Sequence, residues 1–196
     1  SPAPSANPVF SEMLTAFGPH RPIVIAASTF PGEETLLAEA ILTADENALP
    51  VIVPRHAERR AEVSAALNRA GFSVTLRSQW SAGSKPSESE SPQAFVIDST
   101  GELAIWMTHA DAVIMGKSFL STGGQNPAEA IIARKPLILG PHMDNFQPLV
   151  GHLLEAGGAG LVGEPGGRAA EYQAEAESES TFMLMGFQHE RDPNGG

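Results

Sequence analysis

The 196-residue sequence has no cysteine and is short of cations, with 12 Lys and Arg against 23 Asp and Glu for a formal net charge of −11. Without thiols there is no disulfide framework, no thiolate metal site and no cysteine nucleophile. The excess of acid argues against a nucleic-acid or anionic-membrane surface spread over the whole body, while leaving room for a local basic pocket. No apolar run approaches membrane-spanning length and no signal peptide is evident, so the chain by itself is expected to be soluble and cytoplasmic. Two nucleotide signatures are missing as well. Gly116-Lys117-Ser118 has the ending of a phosphate-binding P-loop, but Asp111 and Ala112 stand where its first glycine is required. No GxGxxG fingerprint occurs, so hydride transfer is not expected. His56 and His142 lack any HxxxH or HxH spacing and read as capping or hydrogen-bonding histidines rather than metal ligands.

Strand-length and helix-length segments alternate along the chain. Apolar runs at Ile23–Ala27, Leu49–Val53, Phe72–Leu76, Ala94–Ile97, Ala112–Met115, Leu137–Leu139 and Gly160–Val162 are short and mostly aliphatic or β-branched. Between them lie Glu33–Ala44, Ala57–Ala70, Glu102–His109, Pro127–Ala133 and Phe146–Ala156, each of helical length. Continuous rather than alternating apolar runs mark strands covered on both faces, so the sheet is expected to be mainly parallel. These features predict an α/β, Rossmann-like, doubly wound domain over residues 21–163. Residues 1–20 read as a linker or short helix, Ser84–Pro92 as a surface loop, and residues 164–196, with the acid-rich Glu171–Ser180, as a poorly ordered or divergent tail.

In open sheets of this kind ligands sit outside the carboxyl ends of the strands. Small, hydroxyl and charged residues gather at those ends here: Ser28-Thr29, Pro54-Arg55-His56, Asp98 through Glu102, Gly116-Lys117-Ser118 and Gly140 through Phe146. The most informative segment is Gly123-Gly124-Gln125-Asn126-Pro127-Ala128-Glu129. It reads as a glycine turn opening a helix, with Asn126 as N-cap and Pro127 at the first helical position. Such a turn directs backbone N–H groups outward and suits a phosphate, while Glu129 one turn in suits a sugar diol. An ordinary capped helix is the alternative. Arg55 suits a bidentate phosphate contact, against a surface ion pair with Glu58. Ser28-Thr29 with Glu33-Glu34 reads more readily as a helix start with dipole-complementing acids than as a substrate contact. Gly101 permits close backbone approach to a flat ligand, although Thr100-Gly101-Glu102 also reads as a plain helix start.

Taken in order, Ala26-Ala27-Ser28-Thr29…Gly32-Glu33-Glu34, Val53-Pro54-Arg55-His56-Ala57-Glu58-Arg59, Asp98-Ser99-Thr100-Gly101-Glu102-Leu103, Ala110-Asp111, Gly123 through Glu129, Lys135-Pro136 and Gly140-Pro141-His142…Asn145-Phe146 resemble the 3-deoxy-D-manno-octulosonic acid (Kdo) transferases of lipid A biosynthesis. The resemblance runs from Arg21 to about Val162 and implies the C-terminal, nucleotide-binding half of a two-domain GT-B glycosyltransferase. It implies CMP-Kdo as donor, a lipid A precursor as acceptor at the cytoplasmic face of the inner membrane, and neither a metal nor a nucleic-acid partner. Carried over by position, the CMP contacts fall on Pro54, Arg55, Thr100, Gly101, Glu102, Asn126, Pro127, Ala128 and Glu129, with Ser28, Lys117, Gly123, Gly124 and Gln125 as further phosphate or cleft contacts. The family's acceptor groove, membrane anchor and carboxylate general base belong to an N-terminal half with no counterpart in these residues, so no catalytic residue is expected here. Three positions depart from the family's habit. Gln125 stands in place of a histidine, Ala128 in place of a bulkier aliphatic residue, and Lys117 in place of a glycine.

Overall fold

Seven apolar runs become seven strands because nearly every residue in them has somewhere to bury its side chain. The computed structural model describes residues 8–81, 83–86, 89–157 and 159–161. In chain order the elements are α1 (Pro8–Thr15), β1 (Ile23–Thr29), α2 (Glu33–Ala44), β2 (Leu49–Pro54), α3 (Arg60–Arg69), β3 (Ser73–Leu76), β4 (Gln93–Val96), α4 (Leu103–Thr108), β5 (Ala112–Met115), α5 (Ala128–Ile132), β6 (Leu137–Leu139), α6 (Gln147–Glu155) and β7 (Ala159–Leu161). Short 3-10 turns at Ala57–Arg59, Arg77–Gln79 and Asp144–Phe146 join some of them. The expected second helix therefore starts as a 3-10 turn before becoming α3, and β1 runs two residues further than its apolar run. The tail expected at 164–196, with its acid-rich Glu171–Ser180, lies outside the described residues.

The strands form one sheet in the order β3-β4-β2-β1-β5-β6-β7. All six neighbouring pairs are parallel, as continuous apolar strands predict. From β1 the chain moves out through β2 to the edge strand β3, fills the space between them with β4, then returns to lay β5 against the other side of β1. That reversal makes the gap between β1 and β5 the topological switch point, where open α/β sheets form their ligand crevice.

Successive residues of β1 serve the two faces. Ile25 and Ala27 join Phe10, Met13, Leu14, Phe17, Trp106, Met107 and Val150 in one core layer, so α1, α4 and α6 cover that side. Val24 and Ala26 join Leu37, Ala38, Ile41, Val63 and Leu67, which places α2 and α3 on the other. The short helix in the proline-rich N-terminal segment is α1, and its Phe10 stacks on Trp106 with ring centroids 4.1 Å apart. Phe95 meets the same indole edge-on at 5.6 Å. Each fully buried Leu, Ile or Phe contributes about 1.5–3 kcal/mol, so both layers are needed to hold a sheet whose strands are this short.

Candidate functional site

The crevice begins where β1 and β5 nearly touch. Gly116 N–H donates to the Ala27 carbonyl at 2.7 Å. A Cβ at residue 116 would lie 2.6 Å from Thr29 Cα, so only glycine fits there. Opposite it, Ala27 pairs with Val53 and Thr29 with Pro54, leaving Ser28 as a bulge with φ of +56°. Lys117 also has φ of +56°. A left-handed conformation is costly for a residue with a side chain.

One carboxylate holds these loops together. Glu33, the first residue of α2, is fully buried. Its Oε2 accepts the N–H groups of Phe30 at 2.9 Å and Lys117 at 2.6 Å. Its Oε1 accepts those of Phe119 at 3.2 Å and Leu120 at 3.4 Å. Beside it, Glu34 Oε1 accepts the Thr29 hydroxyl at 3.1 Å and Arg59 Nη1 at 2.7 Å. Hydrogen bonding to Glu62, then to Glu34, drives the Arg59 guanidinium still further above its ordinary range. These acids do more than complement a helix dipole, because each ties the loop after β1 to a neighbouring loop. The Lys117 ammonium stands 5.2 Å from the centre of the Phe30 ring, and the His56 ring meets the same ring at a steep angle with centroids 6.4 Å apart.

The loops after β2 and β4 flank that centre. Pro54 is buried at the end of β2, and the Arg55 N–H donates to the Thr29 carbonyl at 3.0 Å. The Arg55 side chain is exposed and makes no ion pair among the described residues. Glu58, its candidate partner, lies 3.7 Å from His56 Nδ1 instead. Thr100 and Gly101 are exposed, and open space surrounds the place where a Cβ on Gly101 would go. Its φ of +80°, not crowding, is what favours glycine there. The Glu102 carboxylate turns inward, accepting from Arg77 Nη2 at 3.1 Å, Trp106 Nε1 at 3.4 Å and the Ser99 hydroxyl. Below it, buried Asp98 accepts the N–H and hydroxyl of Ser78 at 2.8 and 2.6 Å, fastening the ends of β3 and β4 together.

On the other side of β5 lies the glycine turn. Gly123 and Gly124 have φ of +93° and +70° and are buried. Side chains on them would strike Asn145 and Met143, so the turn is moulded against the loop after β6. The Gly123 N–H points to Asp144 Oδ2 at 3.4 Å and is not one of the outward N–H groups that the sequence suggests. Those of Gly124 and Gln125 have no acceptor among the described residues. Asn126 Oδ1 accepts the Ala128 N–H at 3.0 Å, but α5 begins at Ala128 with buried Pro127 in the cap position, one residue later than the sequence suggests, so the Asn126 side chain closes the turn that leads into the helix. Gln125 and Ala128 are half-buried, and Glu129 is exposed on the first turn of α5. All the residues selected from the sequence thus lie at the carboxyl ends of adjacent strands.

The opposite edge of the sheet offers an open groove lined by Gly18, His20, Arg21, Glu46 and Asn47. Arg21 there is committed to the Asn47 and Ala48 carbonyls and to Gln93. Among the described residues no three His, Asp or Glu side chains are grouped to hold a metal ion, and no helix is long and apolar enough to cross a membrane.

A doubly wound parallel sheet with an open, polar carboxyl rim defines a Rossmann-like domain of the kind that forms one half of a GT-B glycosyltransferase. No protein-family model matches the chain. It is 37% identical over 145 residues to 3-deoxy-D-manno-octulosonic acid transferase of Bordetella pertussis, a match covering 71% of this chain and 33% of that protein. It is 34% identical over 149 residues to the transferase of the same name from Haemophilus influenzae, covering 74% and 34% respectively. Among solved structures, the C-terminal CMP-Kdo binding domain of WaaA from Acinetobacter baumannii superposes with a TM-score of 0.65 at 28% identity, over 78% of this chain and 79% of that one. In sequence and in fold the chain is thus similar to Kdo transferases, and it spans about a third of the length of the curated relatives it matches.

Sequence reasoning passed over the reach of Glu33 across the switch point, the Glu34–Arg59 pair and the packing of Asp144 and Asn145 on the glycine turn. Gly32-Glu33-Glu34 directly after a strand carried the available signal for the first two. The third depends on the loops after β5 and β6 meeting in space, which local sequence does not state.

Proposed function

We propose that this chain is the donor-binding half of a Kdo transferase, holding the cytidine nucleotide of CMP-Kdo while the sugar passes to a lipid A precursor. The observation that carries this reading is a coincidence. Residues chosen for CMP by family resemblance, namely Pro54-Arg55, Thr100-Gly101-Glu102 and Asn126 through Glu129, belong to strand-end loops along one edge of a sheet whose fold is shared with a solved CMP-Kdo binding domain.

The proposed division of labour follows from which groups are free. Arg55 and the N–H groups of Gly124 and Gln125, which have no acceptor among the described residues, suit the phosphate. Exposed Glu129 suits the ribose hydroxyls, and the backbone at Thr100-Gly101 suits the base, since the Glu102 carboxylate is engaged internally. Ser28 and Lys117 line the switch-point side. As the bond between sugar carbon and phosphate oxygen breaks, charge builds on the departing CMP. Fixed N–H dipoles and a guanidinium stabilise it there, so the proposed reaction needs no metal. Acceptor binding, the general base and attachment at the cytoplasmic face of the inner membrane are assigned to the remainder of the full-length protein. The 196 residues alone are therefore expected to bind donor without transferring it.

A thermal-shift titration with CMP, CTP, UMP and GMP tests this reading. A ligand at a hundred times its dissociation constant adds about 2.7 kcal/mol to stability. Cytidine nucleotides alone should stabilise the chain, with EDTA making no difference and Glu129→Ala abolishing the effect. A shift with UMP or GMP alone would assign a different nucleotide-sugar donor. No shift with any of the four would reject donor binding by this chain.

A further inference from the structure

We propose that Glu33 is a positioning residue that pre-forms the donor crevice by acting as a built-in anion beneath the loop after β5; this rests on the donor-binding reading above. A buried carboxylate is tolerated only when hydrogen bonds replace its hydration. Glu33, fully buried, has four, all from backbone N–H groups. Three of the donors, Lys117, Phe119 and Leu120, converge from one loop in the manner of an anion-binding nest. The fourth, Phe30, comes from the loop after β1. In this fold such a nest lies beside the crevice where a ligand anion would be sought, and here a side chain fills it from within.

Two consequences follow. The amides of Lys117, Phe119 and Leu120 are unavailable to the donor, so its phosphate depends on Arg55 and the glycine turn. The same bonds keep Lys117 in its left-handed conformation, with its ammonium standing over Phe30. The crevice wall thus takes its shape before any donor arrives. Glutamine cannot reproduce this, because only one of its two terminal atoms accepts a hydrogen bond and each Glu33 oxygen takes two.

The experiment uses the 196-residue chain as wild type, Glu33→Gln, Glu33→Ala and, as control, Glu39→Gln on the exposed face of the same helix. Amide exchange over residues 116–120 is compared with global unfolding in urea, and CMP affinity is measured calorimetrically. In Glu33→Gln these amides should exchange at least about tenfold faster than the change in global stability explains, and CMP should bind at least about tenfold more weakly. In Glu33→Ala, acetate should restore both properties in part, whereas chloride at equal ionic strength should not. Such rescue is not expected of a residue that only fills space. If Glu33→Ala does not fold, Glu33→Asp takes its place and should give an intermediate effect on both readouts. Wild-type exchange at residues 116–120 in Glu33→Gln would overturn the proposal. So would lost protection with unchanged CMP affinity. Failure of the wild type to bind CMP would reject the donor reading instead, and exchange with acetate rescue would then decide whether Glu33 organises the loop.

Discussion

Ser118 and Gly140 are locked to each other: the Ser118 hydroxyl accepts the Gly140 N–H at 2.9 Å, and a Cβ at residue 140 would fall on the Ser118 carbonyl. The same hydroxyl donates to the Met115 carbonyl at 2.5 Å, so the ends of β5 and β6 share one buried fastening.

Substituting Gly140 by alanine should therefore destabilise the protein by about 1–3 kcal/mol, the usual cost of overpacking a tight interior. Urea unfolding measures it. A variant as stable as wild type would mean that the two loops part easily. Ser118→Ala should cost less, about 1 kcal/mol for the hydrogen bond.

Arg55→Ala should leave stability within about 0.5 kcal/mol of wild type, because the side chain is exposed and makes no ion pair among the described residues. Under the donor reading it should weaken CMP binding by about tenfold to a hundredfold, the range for a charge-assisted hydrogen bond. Calorimetric titration distinguishes this from a bystander arginine, for which affinity would not change.

Breaking the Glu34–Arg59 pair should be expensive. The Glu34 side chain is 3% exposed and that of Arg59 14%, and removing one partner leaves the other charge buried. Arg59→Ala is expected to cost about 3 kcal/mol. Arg59→Met combined with Glu34→Leu should recover part of that loss, since it removes both charges. Equal loss in the single and double variants would argue that packing, not charge, is what Arg59 supplies.

Burial, then the nearby Lys135 charge, holds the His109 imidazole below its ordinary value of 6.5. A lowered folded-state value means that protonation favours the unfolded chain. Stability should thus be full above about pH 6.5, fall as the pH drops toward the lowered folded-state value, and level off below it. His109→Gln should flatten the decline between pH 7.5 and pH 5 in urea midpoints. An unchanged decline would move the effect to other groups.

The strands and most helices were legible because their signals are local. Leu49 through Val53 has no polar residue to place, so it had to be a strand buried on both faces, and it is. The turn at Asn126 was legible for the same reason, being a bond between residues two apart, although the helix it leads into starts at Ala128 rather than at Pro127. Glu33 was not. A glutamate in a first helical turn is ordinary, and only the approach of the loop after β5 makes it an acceptor for three distant amides. Asp144 on the Gly123 amide was hidden likewise. Glu102 reads from sequence as a rim carboxylate, but its inward turn depends on Arg77 and Trp106 lying beneath it.

The position of β1 also bears on solubility. Its two neighbours are β2, which follows directly, and β5, which the ribosome delivers much later. Until then one edge of an apolar strand has no partner, and unpaired apolar edges are templates for aggregation. The pairing of Val24 through Ala27 with Ala112 through Met115 ends that exposure and builds the crevice in one step. Changes that weaken the docking of β5 should therefore appear first as lost yield of soluble protein, before any loss of affinity can be measured.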